Sequence, residues 1–154
     1  MFQTLELQKP LEDYVELLGS MTARSLSLFD SVLDPAFVFE DPYHRTKGVD
    51  AFKSLMMERF NLYKRGAAGK SLLRYRVHDF VWGRREGVAY VYWSMICSVH
   101  NNGSLSIVGK NTKGKSLSFD GMSEVCVLNN KQVISHRDFW GAHEGFHVGA
   151  YKKF

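Results

Sequence analysis

Residues 39–52 read FEDPYHRTKGVDAF, and they join the end of a strand to the start of a helix. The apolar run 37–40 is typical of a short strand, which Pro42 ends because its ring restricts the preceding residue to extended conformations. After a turn at Gly48, apolar side chains recur at helical spacing at Val49, Phe52, Met56, Phe60 and Tyr63. The stretch therefore predicts a strand, a turn and a helix of about four turns that Gly66 ends.

The flanking segments change period from helical to alternating. On the N-terminal side, helical spacing predicts amphipathic helices over 11–18, ending at Gly19, and over 22–33. On the C-terminal side, alternation predicts long strands over 72–82, 88–99, 117–128 and 133–140, separated by turns rich in Gly and Asn. The segment 100–116 reads either as a strand extension or as a loop. This order predicts an α+β fold in which N-terminal helices cover a cone-like, curved antiparallel sheet around a cleft.

Composition indicates one globular domain over residues 1–154, with a C-terminal extension after about residue 141. The chain has 45% hydrophobic and 23% charged residues, as ordinary globular domains do. Its 20 basic and 16 acidic residues are scattered, so we expect no nucleic-acid partner. No segment reads as a signal peptide or a membrane span, and Cys97 and Cys126 lie in apolar runs. We therefore expect a cytoplasmic protein with no membrane partner and no disulfide.

One motif suggests a metal, and we discount it. His143, Glu144 and His147 match the zinc-protease pattern of two histidines four residues apart with a glutamate between them. The pattern contains Gly145, lies close to the end of the sequence and has no obvious third ligand after it. We expect a chance match, and neither a metal nor another cofactor.

Three stretches together resemble a known family: residues 39–52, GMSEV at 121–125 and VISHRDFW at 133–140. They are similar to the nuclear transport factor 2-like superfamily, and most to its SnoaL-like branch, which includes proteins like polyketide cyclases and ketosteroid isomerase. The resemblance runs from about Leu11 to Trp140. It implies the cone-shaped, cystatin-like fold and an apolar pocket, but it leaves the activity open because the superfamily has many functions.

The resemblance suggests Asp41, His136 and Asp138 as catalytic residues. Asp41 stands in a Glu-Asp-Pro turn similar to the one that holds the base of ketosteroid isomerase, and it would act as a base if partial burial raised its pKa. Alternation puts His136, Asp138 and Trp140 on one face of the last strand, which by resemblance lines the pocket. The alternatives are that Asp41 only starts a turn and that His136 and Asp138 only satisfy each other.

Five further residues are candidates for ligand binding: Tyr14, Tyr43, Trp93, Ser123 and Trp140. Ser123 stands where the isomerase has a protonated acid, and a serine hydroxyl is a weaker donor to developing negative charge. Tyr14 lies on the matching helix but is offset by about one turn. Steroid isomerisation is therefore not expected.

Two functions remain open at this point. The first is cofactor-free acid–base catalysis, of the isomerase, cyclase, dehydratase or hydrolase type, on a small hydrophobic or carbonyl-bearing molecule. The second is a non-catalytic ligand-binding or protein-interaction module of the same fold. For either we expect a homodimer formed through the outer face of the sheet, because its strands are rich in aromatic and β-branched residues.

Overall fold

The computed structural model describes residues 2–63, 73–98, 116–128 and 130–140. Two α-helices, α1 (Phe2–Gly19) and α2 (Val49–Tyr63), and a 3-10 helix at Leu26–Ser31 accompany one sheet. Its strands are β1 (Leu33–Glu40), β2 (Arg45–Lys47), β3 (Leu73–Trp82), β4 (Val88–Ser98), β5 (Ser116–Val127) and β6 (Val133–Phe139). None of the helices in these ranges is long and apolar enough to cross a membrane.

The six strands lie in the order β2-β1-β6-β5-β4-β3. Strands β3 to β6 form the predicted antiparallel meander, and α1 packs on β3 while α2 packs on β1. The α+β fold class is confirmed, with one addition: β1 runs parallel to β6, so the sheet is mixed. Because the two strands are parallel, their C-terminal ends meet at the same edge of the sheet.

The core lies between the helices and the inner face of the sheet. Its largest fully buried side chains include Tyr14, Phe29, Phe37, Phe52 and Phe60. Edge-to-face contacts join Tyr14 to Phe29, Phe29 to Phe52 and Phe52 to Phe37, with ring centroids 5.3–6.0 Å apart. These aromatic contacts fix α1, α2 and β1 against one another.

Two predicted elements differ from the structure. The helix predicted over 22–33 is only the 3-10 helix, because its backbone N–H groups bond carbonyls three residues back, as Leu28 does to Ser25 at 3.0 Å and Val32 to Phe29 at 3.1 Å. Helix α1 begins at Phe2 rather than near Leu11, and it includes Pro10.

Some predictions concern residues outside the described ranges. They are the stop at Gly66, most of the segment 100–116, the motif at His143 and His147, and the C-terminal extension.

Candidate functional site

The candidate site lies at the end of β6, where inward and outward side chains alternate as predicted. His136 and Asp138 are buried, whereas Arg137 and Phe139 are exposed. On β1, Phe39 lies opposite His136 and Glu40 lies opposite Arg137. This register brings Asp41, the residue after β1, to the level of Asp138, and both line one cleft.

A chain of buried polar side chains ends on Asp138. Its Oδ1 atom lies 2.5 Å from Ser123 Oγ and 2.5 Å from His136 Nε2. Ser123 Oγ in turn bonds Trp93 Nε1 at 2.7 Å, and His136 Nδ1 bonds the Tyr14 hydroxyl at 2.7 Å. Five of the sequence-predicted residues, including Trp93, thus form one connected network across α1, β4, β5 and β6.

The direction of these hydrogen bonds follows from the chemistry of the end groups. The Trp93 indole can only donate, so Ser123 Oγ accepts that hydrogen bond, and the Ser123 hydroxyl donates a hydrogen bond to Asp138. Burial, followed by the charge of Asp138 and the nearby Tyr75, holds the pKa of Tyr14 well above its usual value, so its hydroxyl stays protonated. The Asp138 carboxylate accepts from His136 Nε2, so an imidazole with one ring proton has Nδ1 as an acceptor, and the Tyr14 hydroxyl donates to Nδ1. Ser123 and His136 therefore both donate hydrogen bonds to Asp138.

The second carboxylate oxygen of Asp138 is in a different position. No described residue provides a hydrogen-bond partner for Oδ2, and the surrounding protein does not enclose this atom completely. The access is narrow, because the whole residue is only 7% exposed. Because both described partners of Asp138 bond Oδ1, Oδ2 is available as a hydrogen-bond acceptor.

Asp41 has a different environment from the one expected. Its carboxylate accepts the backbone N–H groups of Tyr43 and His44 at 2.8 and 2.7 Å and forms a buried ion pair with Arg59. Burial alone would raise the pKa of Asp41, but the Arg59 charge, these hydrogen bonds and His44 outweigh it and lower that pKa. The condition for Asp41 as a base near neutral pH is therefore not met.

Arg59 is the site residue that the sequence reasoning missed. It is only 8% exposed, and its NH1 group also donates to the Tyr75 hydroxyl at 3.4 Å. A signal was present, because position 59 follows Met56 by three residues and so falls on the apolar stripe of α2. A charged residue on a buried stripe indicates a buried partner.

Asp138 is a wall residue of both an inner cavity and an outer cleft. The inner cavity is lined by, among others, Phe39, Met56, Tyr75, Trp93 and His136, and its volume is about 20 Å³, close to that of one water molecule. The outer cleft measures about 530 Å³, and Asp41, Phe139 and Trp140 line it. Of these two spaces, only the cleft has room for a ligand larger than water.

The predicted ligand-binding residues lie in the cleft, in the cavity wall or in the buried network. Trp140 lies in the cleft, and the Tyr43 ring packs against it with centroids 5.4 Å apart. Trp93 lines the cavity, and its indole packs over Gly121. Position 121 requires glycine for this contact, because a methyl group there would overlap the ring. Tyr14 and Ser123 are fully buried and contribute through the network. The described ranges contain no cluster of three His, Cys, Asp or Glu side chains that could hold a metal ion.

Comparison with known proteins finds likeness in structure alone. No protein-family model matches the chain, and no curated protein matches it. A proposed polyketide cyclase from Xanthomonas campestris pv. campestris superposes with a TM-score of 0.66 at 12% identity, over 94% of this chain and 96% of that one. An LEH-like epoxide hydrolase from M. tuberculosis gives 0.60 at 14% identity, over 92% and 83%.

An NTF2-like protein of unknown function from Exiguobacterium sp. 255-15 gives a TM-score of 0.59 at 12% identity, over 84% of this chain and 95% of that one. At such low identity these likenesses establish the fold and not the activity. The architecture and these superpositions agree with the resemblance found in the sequence: the chain has the fold of the nuclear transport factor 2-like superfamily, shared with SnoaL-like proteins.

Proposed function

We propose that the chain binds a small, mostly apolar molecule in the cleft beside Asp138 and transfers a proton to or from it without a cofactor. The observation that carries this proposal is the asymmetry of Asp138: two donors fix Oδ1, whereas Oδ2 has no partner among the described residues. A carboxylate held in this way is oriented before a ligand arrives. It can serve as a general base for any acidic proton within hydrogen-bond reach.

Each residue of the network then has a defined role. Asp138 exchanges a proton with the ligand. His136 and Ser123 orient the Asp138 carboxylate, and Tyr14 and Trp93 set the direction of the hydrogen bonds in the network. Asp41 holds Arg59 rather than acting as the base. The structural neighbours include a proposed cyclase and an epoxide hydrolase, so the fold accommodates more than one reaction of this type.

A specific observation also favours the second function, a non-catalytic binding module. The hydroxyls of Tyr14 and Ser123 and both ring nitrogens of His136 are engaged inside the network. The inner cavity holds little more than a water molecule. A polar cluster that only stabilises a core would also satisfy its groups in this way.

Isotope incorporation tests the proposal without knowledge of the natural ligand. The protein is incubated with small cyclic ketones in D₂O and with small epoxides in oxygen-18 water, and the products are measured by mass spectrometry. We expect incorporation above the buffer rate for at least one class, with a fall of about 10²- to 10⁴-fold in Asp138→Asn. The matched control is Asp50→Asn, because the Asp50 side chain is 99% exposed on α2.

Incorporation that persists in Asp138→Asn would overturn the role of Asp138. If no compound reacts but some bind the cleft, seen as shifts of the Trp140 indole NMR signal, the non-catalytic function is favoured.

A further inference from the structure

Three residues with carboxylate side chains line the outer cleft, and arginines compensate two of them. The three residues are Glu40, Asp41 and Asp138. Arg59 forms a buried ion pair with Asp41, and the Arg137 Nε atom lies 3.6 Å from Glu40 Oε1. The cleft therefore has one carboxylate more than the arginines that pair with its walls.

Asp138 is the carboxylate without such a partner. No lysine or arginine among the described residues forms a salt bridge with it, and Arg137 lies on the opposite face of β6. Its hydrogen-bond partners Ser123 and His136 add no positive charge, because His136 accepts the Tyr14 hydroxyl at Nδ1 and so carries one ring proton. A buried carboxylate is costly without a cation, so a ligand that supplies the positive charge is favoured.

The position of Asp138 Oδ2 restricts the group that can supply this charge. A carboxylate oxygen only accepts hydrogen bonds, so the group must carry a donor. Asp138 is almost fully buried, so the group must also be small. A primary or secondary ammonium meets both conditions. An alcohol has a donor but no charge, and a quaternary ammonium has the charge but no N–H.

The aromatic walls of the cleft suit the rest of such an ion. Phe139 and Trp140 line the cleft, and the Tyr43 ring packs against Trp140 with centroids 5.4 Å apart. Aromatic faces attract cations, and the Arg137 guanidinium already lies 5.1 Å from the centroid of the Phe139 ring. The C–H groups next to an ammonium nitrogen share its charge, so they can pack on an aromatic ring while the N–H group reaches Asp138.

We infer that the cleft recognises a small apolar molecule that carries a protonated primary or secondary amine. The N–H group of the amine donates a hydrogen bond to Asp138 Oδ2, and the apolar part lies against Phe139 and Trp140. The inference rests on the proposed function for the binding site beside Asp138, but it does not require proton transfer.

Three molecules of similar shape test this selectivity: benzylammonium, benzyl alcohol and benzyltrimethylammonium. Each is titrated into the wild-type protein at neutral pH, and binding is followed by the indole NMR signals, among which Trp140→Phe identifies that of Trp140. We expect benzylammonium to bind roughly 10- to 100-fold more tightly than either of the others, as expected for a hydrogen bond between charged groups.

Asp138→Asn tests whether this carboxylate causes the preference. We expect the affinities of this variant for benzylammonium and benzyl alcohol to lie within about threefold of each other, because the charge that distinguishes them is gone. The matched control is Glu40→Gln, which removes a carboxylate from the same cleft that already pairs with Arg137. Its preference should differ from that of the wild-type protein by at most about threefold, because the Glu40 side chain is partly exposed.

Several results would overturn the inference. In the wild-type protein they are no binding of benzylammonium, or equal binding of it and either of the other molecules; these measurements decide even if Asp138→Asn does not fold. In the variants they are a preference that survives in Asp138→Asn, or an equal loss in Glu40→Gln.

The isotope measurements separate this inference from the proposed proton transfer. Selective binding of benzylammonium, without incorporation that depends on Asp138, would contradict only the proton transfer. Incorporation into neutral ketones or epoxides that depends on Asp138, without a preference for benzylammonium, would overturn only the inference.

Discussion

Asp41 is held by more contacts than an aspartate that only starts a turn needs. Besides the two backbone N–H groups, it binds the Arg59 guanidinium and lies 3.1 Å from His44 Nδ1. Removing one partner of a buried ion pair leaves the other charge uncompensated. The turn that made Asp41 resemble a catalytic base is thus better explained as an anchor for α2.

The lowered pKa of Asp41 predicts a specific dependence of stability on pH. The folded state binds the proton less tightly than the unfolded state, whose pKa is near 3.8. The ion pair therefore stabilises the fold fully above that pH, and its contribution is lost as the pH falls below 3.8 towards the folded-state pKa. We expect Asp41→Asn to lower the free energy of unfolding by about 1–3 kcal/mol at pH 7, with a smaller difference from wild type at pH 3.

Urea unfolding at both pH values measures this difference, with Asp50→Asn as the control for an exposed carboxylate. A difference that stays constant between the two pH values would contradict the ion-pair explanation.

Sequence patterns located most helices and strands but not the interactions that end them. Alternation placed β3 to β6 to within one or two residues at each described end. The short strand β2 was not predicted, because three polar residues after a turn have no periodicity to recognise. Hydrophobic spacing also does not distinguish the backbone bonds of a short 3-10 helix from those of an α-helix, so the second helix was predicted too long.

The turn between β3 and β4 depends on Gly87. Its φ is +71°, and its carbonyl accepts the backbone N–H of Val127 at 2.7 Å. A side chain there would be strained by that φ and would also collide with the Val127 carbonyl oxygen. We expect Gly87→Ala to destabilise the protein by about 2 kcal/mol in urea unfolding.

Gly19→Ala is the matched control for this turn. A methyl group at Gly19 would meet only Val77 Cγ2 at 3.9 Å, an ordinary contact, so we expect a change within about 0.5 kcal/mol. Equal effects of the two substitutions would show that the turn geometry does not limit stability.

The candidate site is assembled from segments that are far apart in the sequence. The sequence therefore predicts the part of the site that lies within one strand better than the contacts between distant segments. Alternation within β6 placed His136 and Asp138 together, because they are two residues apart. Tyr14 lies 122 residues before His136, and only the packing of α1 on the sheet brings them into contact. The direction of the network and the role of Arg59 depend on such distant contacts, so composition and spacing could not give them.

The outer face of the sheet carries apolar side chains that the helices do not cover. Tyr92, Met122 and Phe139 lie in register on neighbouring strands and are 40%, 46% and 48% exposed. The next row on this face pairs Glu124 with Arg137, so the surface presents both charges beside the apolar row. A patch of this kind is complementary to a second copy of itself across a two-fold axis.

We therefore expect a homodimer through this face, with a mass in solution of twice the 17.6 kDa of one chain. Met122→Arg should give a monomer at micromolar concentration, because it buries an unpaired charge at the centre of the contact. The matched control is Leu28→Arg, since Leu28 is 55% exposed but lies on the 3-10 helix. Light scattering measures all three proteins. A monomeric wild-type protein, or dissociation by Leu28→Arg as well, would show that the two copies do not meet through the row formed by Tyr92, Met122 and Phe139.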